Sequence, residues 1–275
     1  MDAFVLGGGG QLGASEVGML RALLERDIVP DLVVGTSVGA INGAAIASDP
    51  TIETVEQLAG TWSDLERSDV FAGSLWGRLA TLARTGTHLH GNDGLRATLT
   101  ESLPIPLIEQ LPVQFQCVAA SIERAAEHWF ASGSIVDAVL ASAAVPGLLP
   151  PVRIGDEHFI DGGIVNSIPV NRAVALGATR IFVMHVGRLD RPLEPPRWPW
   201  EVALVAFEIA RRHRFLGDLA SLPDTVEVHV LPTGQPEPPP YKDLSALRYR
   251  VAPDVGESIE RAYDAALAYL SERQR

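Results

Sequence analysis

The chain begins with two short apolar runs, at residues 3–6 and 31–34, and each leads through a glycine-bearing loop into a helical pattern. In letters, AFVL passes through GGGGQLG into ASEVGMLRALLER, and DLVV passes through GTSVG into VGAINGAAIAS. Apolar runs of this length, bounded by loops and alternating with 3.6-period patterns, give a βαβα order and predict a mainly parallel sheet covered by helices. In such a sheet the loops after successive strands leave from one edge, the carboxyl edge, where ligands bind. The two glycine loops are therefore expected to be neighbours.

Further buried strands are predicted at VQFQCVAAS, RIFVMHV and TVEVHVL, and residues 157–160 read as a short strand entering a turn. Helical patterns occupy IETVEQLAGTWSDL, IVDAVLASAA, NRAVALG and VGESIERAYDAALAYLSERQ. Two proline-rich passages, RPLEPPRWP and PTGQPEPPP, read as surface connections flanking a helix at 200–215. With no internal repeat and no visible boundary, residues 1–275 read as one domain: a motif-bearing core at 3–190 and an extension at 191–275. The expected fold is α/β, a mainly parallel sheet covered by helices.

A formal net charge of −12 makes nucleic acid an unlikely partner and gives no electrostatic attraction to an anionic membrane. One cysteine, Cys117, allows neither an intramolecular disulfide nor a cysteine-rich zinc site, and its apolar surroundings predict a buried strand residue. The first strand starts within a few residues of Met1, so no secretory leader is expected, and no apolar run reaches transmembrane length. Together these features point to the cytoplasm.

Gly8, Gly10 and Gly13 form Gly-x-Gly-x-x-Gly between a strand and a helix, the dinucleotide fingerprint when taken alone. That reading, a nicotinamide or flavin oxidoreductase, also requires an acid at the end of the second strand to hold the ribose. The only acid there, Asp31, stands at the strand's start, and the strand ends instead in Gly35-Thr36-Ser37-Val38-Gly39. A Gly-x-Ser-x-Gly turn between strand and helix is a nucleophile elbow, in which flanking glycines remove side chains that would collide across the bend. An ordinary helix N-cap is the alternative for Ser37. If the elbow holds, the backbone N–H groups of Gly8, Gly9, Gly10 and Val38 face the carbonyl that Ser37 would attack.

A serine nucleophile needs a proton acceptor, usually histidine. None of the seven histidines (His88, His90, His128, His158, His185, His213 and His229) stands in a catalytic motif. The other candidate is Asp161, followed by Gly162 and Gly163, which either make a tight turn or let the carboxylate approach Ser37 closely. At an ordinary pKa of about 3.9 an aspartate is a weak base, so burial must raise it or geometry must compensate.

GGGGQLGASEVGMLRAL, GTSVGA and SAAVPGLLPPVRIGDEHFIDGGIVNSIPV together resemble the patatin-like phospholipases, in order and spacing, over residues 3–190. The resemblance implies a three-layer α/β/α fold and hydrolysis of lipid acyl esters by a Ser-Asp dyad, without histidine, metal or cofactor. Ser37 would be the nucleophile and Asp161 the base. Gly8, Gly9 and Gly10 would form the oxyanion hole, Gly13 would close the motif, and SAAVPGLLPP would end a helix near the pocket. Many relatives carry arginine before the last glycine, where this chain has Leu12, so the resemblance implies no strong preference for anionic head groups.

The stretch WPWEVALVAFEIARRHRFLG admits two readings. Trp198 and Trp200 could anchor an interfacial helix or lid, making transient membrane contact. The favoured reading is a buried helix, because its apolar face is broad, with Arg211, Arg212 and Arg214 suiting the dipole at its C-terminal end. A non-catalytic module on the same scaffold is the third functional class, and both Ser37 and Asp161 are present against it.

Overall fold

The computed structural model describes residues 1–67, 88, 90–185, 192–234 and 255–273. The predicted opening forms as β1 (Asp2–Leu6), a 3₁₀ turn (Gly10–Gly13), α1 (Ala14–Leu24), β2 (Leu32–Thr36) and α2 (Val38–Ser48), followed by α3 (Ile52–Arg67). After α4 (Asp93–Ser102) come β3 (Gln114–Ser121), β4 (Ala126–Phe130), α5 (Ile135–Ser142), β5 (Val152–Ile154) and β6 (Glu157–Asp161). The chain continues with α6 (Gly163–Asn166), α7 (Val170–Ala175), β7 (Arg180–Met184), α8 (Pro199–Ala220), β8 (Glu227–Val230) and α9 (Val255–Arg273). Of the proline-rich passages, residue 191 and residues 235–240 lie outside the described residues.

The strands form one sheet in the order β5-β6-β3-β2-β1-β7-β8, with β4 also on β3. The run β3-β2-β1-β7-β8 is parallel, whereas β4, β5 and β6 are antiparallel additions beyond it. Alternation along the strands sorts side chains to two faces. Phe4, Leu6 and Phe182 join a core beneath α1, α2, α3, α5 and α9, and Ala3, Val5, Ile181 and Val183 join a second core with Ile168, Val170 and Phe215. Helices thus cover both faces, giving the expected α/β/α layers. Cys117 is fully buried on β3, where desolvation pushes its thiol pKa up.

Two local results position the functional residues. The first is the register of β3. Its residues up to Val118 pair with β2, where Thr36 is opposite Val118, and Ala119, Ala120 and Ser121 pair with β6, where Asp161 is opposite Ala119. Because β4 occupies the other edge of β3 from Cys117 to Ser121, β2 and β6 share one edge end to end. Asp161 therefore stands next in line after the last residue of β2.

The second result corrects the reading of the helix at 200–215. It runs on to Ala220, so Arg211, Arg212 and Arg214 lie in its middle, not at its end. It is not buried on all sides: Val202, Ile209 and Leu216 are exposed. The Trp200 side chain lies outside the described part of the structure.

Candidate active site

Ser37 sits between β2 and α2 at φ 55° and ψ −120°, a left-handed conformation that a side-chain-bearing residue adopts only under constraint. The constraint is crowding: a Cβ on Gly39 would lie 2.3 Å from the Leu6 carbonyl oxygen, and one on Gly35 would lie 2.6 Å from that of Gly39. Only glycines fit, and the bend they permit turns the serine out of the strand. The Ser37 N–H donates to Ser142 Oγ at 2.9 Å, and no side chain caps α2, which argues against the simple N-cap reading.

Ser37 Oγ donates to Asp161 Oδ2 at 2.5 Å, although the two residues are 124 positions apart. The other carboxylate oxygen accepts the Gly163 N–H at 2.7 Å. The backbone around Asp161 is tied to the segment after α5: the Asp161 N–H reaches the Ala144 carbonyl and the Gly162 N–H reaches that of Ser142. A Cβ on Gly162 would strike the Val118 carbonyl oxygen at 2.1 Å, so glycine is required for Asp161 to come this close to β2. Burial raises the Asp161 carboxyl from its ordinary value to about 6, offset in part by the bonds from Ser37 and Gly163. The weak-base difficulty is thereby eased by desolvation. No described hydrogen bond joins Ser37 or Asp161 to a histidine; His158 pairs with Glu123 and His229 with Glu227. Among the described residues no three His, Cys, Asp or Glu side chains gather as a metal site.

The glycine loop lies against the elbow: a Cβ on Gly8 would be 3.5 Å from the Ser37 Cβ. One expectation fails in detail. The Gly8 N–H already donates to the Ser167 carbonyl at 2.9 Å, and that of Gly7 to Met184, so Gly8 has no backbone donor left for an oxyanion. Among the described residues no acceptor meets the N–H of Gly9, Gly10 or Val38. A Cβ on Gly13 would be 2.2 Å from Val38 Cγ2, so a glycine there lets the loop lie close against the start of α2.

Residues not singled out by sequence hold the loop and elbow together. Asn42 Nδ2 donates both to the Gly13 carbonyl at 3.0 Å and to Glu16 Oε2 at 2.8 Å, while Trp62 Nε1 donates to Asn42 Oδ1 at 3.1 Å. Glu16 is fully buried, and desolvation drives its pKa well above the usual carboxylate range. Four elements are thus pinned at one point. Glu16 on the apolar face of α1 was the available signal, because an acid in a buried helical stripe needs a partner. Ser167 Oγ is also buried beside Gly8, with no hydrogen-bond partner among the described residues.

A strained serine, an aspartate bonded directly to it and an adjoining glycine loop are features with a known counterpart. Residues 4–174 match the family model described as patatin-like phospholipase. This chain belongs to the patatin-like phospholipase family. Within the family, it is 34% identical over 190 residues to a protein named lysophospholipase nte1 from Aspergillus terreus, covering 68% of this chain and 12% of that protein. It is 33% identical over 190 residues to a patatin-like phospholipase domain-containing protein of Caenorhabditis elegans, again covering 68% of this chain but 14% of the relative. The chain therefore corresponds to a small part of these curated relatives. Among solved structures, VipD from Legionella pneumophila is similar with a TM-score of 0.46 at 16% identity, covering 98% of this chain and 67% of that one. ExoU of Pseudomonas aeruginosa, in its heterodimeric complex with SpcU, gives 0.45 at 16% identity, covering 99% and 52%.

Proposed function

We propose that this patatin-like chain is a serine hydrolase of lipid carboxylic esters, in which Ser37 is the nucleophile and Asp161 its base. The observation that carries the reading is the 2.5 Å bond from Ser37 Oγ to Asp161 Oδ2 at a strained elbow. As Oγ attacks the acyl carbonyl, its proton passes to the Asp161 carboxylate and the carbonyl oxygen becomes an anion. The N–H groups of Gly9, Gly10 and Val38 are the candidate donors to that anion, with the N-terminus of α2 adding favourable field. When the tetrahedral intermediate collapses, the ester C–O bond breaks and the proton on Asp161 passes to the leaving alcohol. Water then attacks the acyl-serine, gives its proton to Asp161 and releases the fatty acid, and Ser37 regains the proton. With a pKa of about 6, Asp161 is mostly ionised at neutral pH yet more basic than an ordinary aspartate.

The lysophospholipase names of several relatives make single-chain phospholipids the first substrates to test. Against the dinucleotide reading, Asp31 is at the start of β2, where its carboxylate accepts the Asp2 N–H at 2.7 Å, at the far end of the strand from the glycine loop.

The test is intact mass after exposure to a fluorophosphonate. Wild type is expected to gain one adduct, Ser37→Ala none, and Asp161→Asn to react at least about a hundredfold more slowly. An adduct on Ser37→Ala, or none on wild type, overturns the dyad. Release of fatty acid from lysophospholipid, but not from the Ser37→Ala protein, assigns the substrate class.

A further inference from the structure

The ladders of β2 and β6 both run out at one seam on β3, and the backbone N–H just beyond each needs an acceptor. Pairing of β2 with β3 ends at Thr36, so the Ser37 N–H has left the sheet; pairing of β6 ends at Asp161, so the Gly162 N–H has left it too. A buried backbone donor is costly unless it is bonded. Both are met by a single residue. Ser142 Oγ accepts the Ser37 N–H at 2.9 Å, and the Ser142 carbonyl accepts the Gly162 N–H at 3.1 Å. Two residues on, the Ala144 carbonyl takes the Asp161 N–H at 2.9 Å.

Its place in the chain suits Ser142 to this. It is the last residue of α5, and the final carbonyls of a helix have no partner within it, so its backbone oxygen is free to accept from outside. The side chain is fully buried, in a turn where Ala141, Ala143 and Ala144 are buried as well. Packing there asks only for a small side chain. What serine adds is one polar atom, and that atom is bonded to the elbow. The stretch SAAVPGLLPP, expected to end a helix near the pocket, thus begins with a residue that holds both halves of the site.

We propose that Ser142 is a positioning residue of the Ser37–Asp161 pair: its hydroxyl oxygen and its carbonyl hold the elbow and the turn after β6 at one fixed spacing. The proposal rests on the dyad reading. Ser37 is held at φ 55°, a conformation that relaxes unless bonds to its surroundings oppose the strain. The N–H bond to Ser142 opposes it, and ties the elbow to the same residue that fixes Gly162. Being fully buried, Ser142 acts through Ser37 and Asp161 and not on substrate. Without its hydroxyl, Ser37 Oγ is free to drift from the 2.5 Å bond to Asp161. That bond holds the Asp161 carboxyl lower than burial alone would, so a looser bond moves its titration above about 6.

The experiment is the rate of fluorophosphonate labelling of the full chain as a function of pH, read by intact mass, for wild type, Ser142→Ala and Ser142→Cys. Cysteine keeps the size of the side chain but offers sulfur, a weak acceptor. Both variants are expected to reach the wild-type end point of one adduct per chain. At neutral pH the alanine variant should reach it roughly ten- to a hundredfold more slowly, with the cysteine variant slowed in the same direction. The acid limb of the rate, near pH 6 in wild type, is expected to move to higher pH in both.

A merely structural role leaves a different mark: fewer chains labelled, at the wild-type rate and with the acid limb unmoved. That result overturns the proposal, as does a wild-type rate and acid limb in either variant that folds. If alanine prevents folding, the cysteine variant decides by the same readouts. A wild type that takes no adduct removes the dyad and the proposal with it, whereas a labelled wild type beside unaffected variants removes the proposal alone.

Discussion

Asp161 is costly as well as useful. Its carboxyl titrates near 6 in the folded chain because it is buried, against about 3.9 when exposed. The folded state holds the proton more tightly, so this residue's contribution to stability declines as pH rises between those values and is lowest above them. Asp161→Asn, which can still accept from Gly163 and pair with Ser37, should therefore raise stability at pH 7 by on the order of 2 kcal/mol, with the gain shrinking toward zero near pH 4. Paired Tm measurements at several pH values check this. The wild-type kcat/KM should fall about tenfold per pH unit below about 6, as the base becomes protonated. At this scale sequence was most informative where glycine removed all other choices: Gly35, Gly39 and Gly162 are required by backbone approaches of 2.1 to 2.6 Å. It was least informative for Gly8. The carbonyl that takes its N–H belongs to Ser167, which only the folded chain brings near.

The strands and helices with clean periodicity formed as read, whereas β4, β5 and α4 were not anticipated. β4 and β5 exist because β3 and β6 offer them antiparallel edges, and residues 126–130 alone, AEHWF, carry little of the β-branched pattern that announces a strand. Helix α8 shows a different limit. Its composition is apolar enough to suggest burial, but which side of the charge pattern meets the sheet depends on contacts with Glu127 and Gly163, not on local sequence. Helix packing also reverses an ordinary expectation at Gly18. In an exposed helix, glycine to alanine is stabilising by about 1 kcal/mol. Here α9 crosses α1 so closely that a Cβ on Gly18 would lie 2.1 Å from the Ile259 carbonyl oxygen. Gly18→Ala should instead destabilise by about 1–3 kcal/mol, measured by urea unfolding. Arg21 and Glu260, bonded twice at 2.8 Å across the same crossing, would be strained with it.

At the scale of the molecule, the last described helix is part of the first core: Val255, Ile259, Ala262, Ala266 and Leu270 of α9 are buried with α1 and α3. The C-terminal stretch is thus structural, although the family match ends at residue 174. The shared edge of β3 has a wider consequence. Ser37 and Asp161 sit at adjoining berths along one strand, so their separation is measured in hydrogen-bond steps of β3, not in residues of the intervening chain. Loops between them can grow or shrink without being felt at the site, while β3 behaves as a ruler that tolerates no extra mark. Two residues inserted at the exposed Pro104 should leave fluorophosphonate labelling within about twofold of wild type. One residue inserted between Val118 and Ala119 should abolish labelling even in molecules that keep a folded circular dichroism spectrum, because it moves the berth of Asp161 away from Ser37 and turns the pleat over. Between Ser37 and Asp161, changes of length are therefore expected to be tolerated in exposed connecting loops and not within the eight residues of β3.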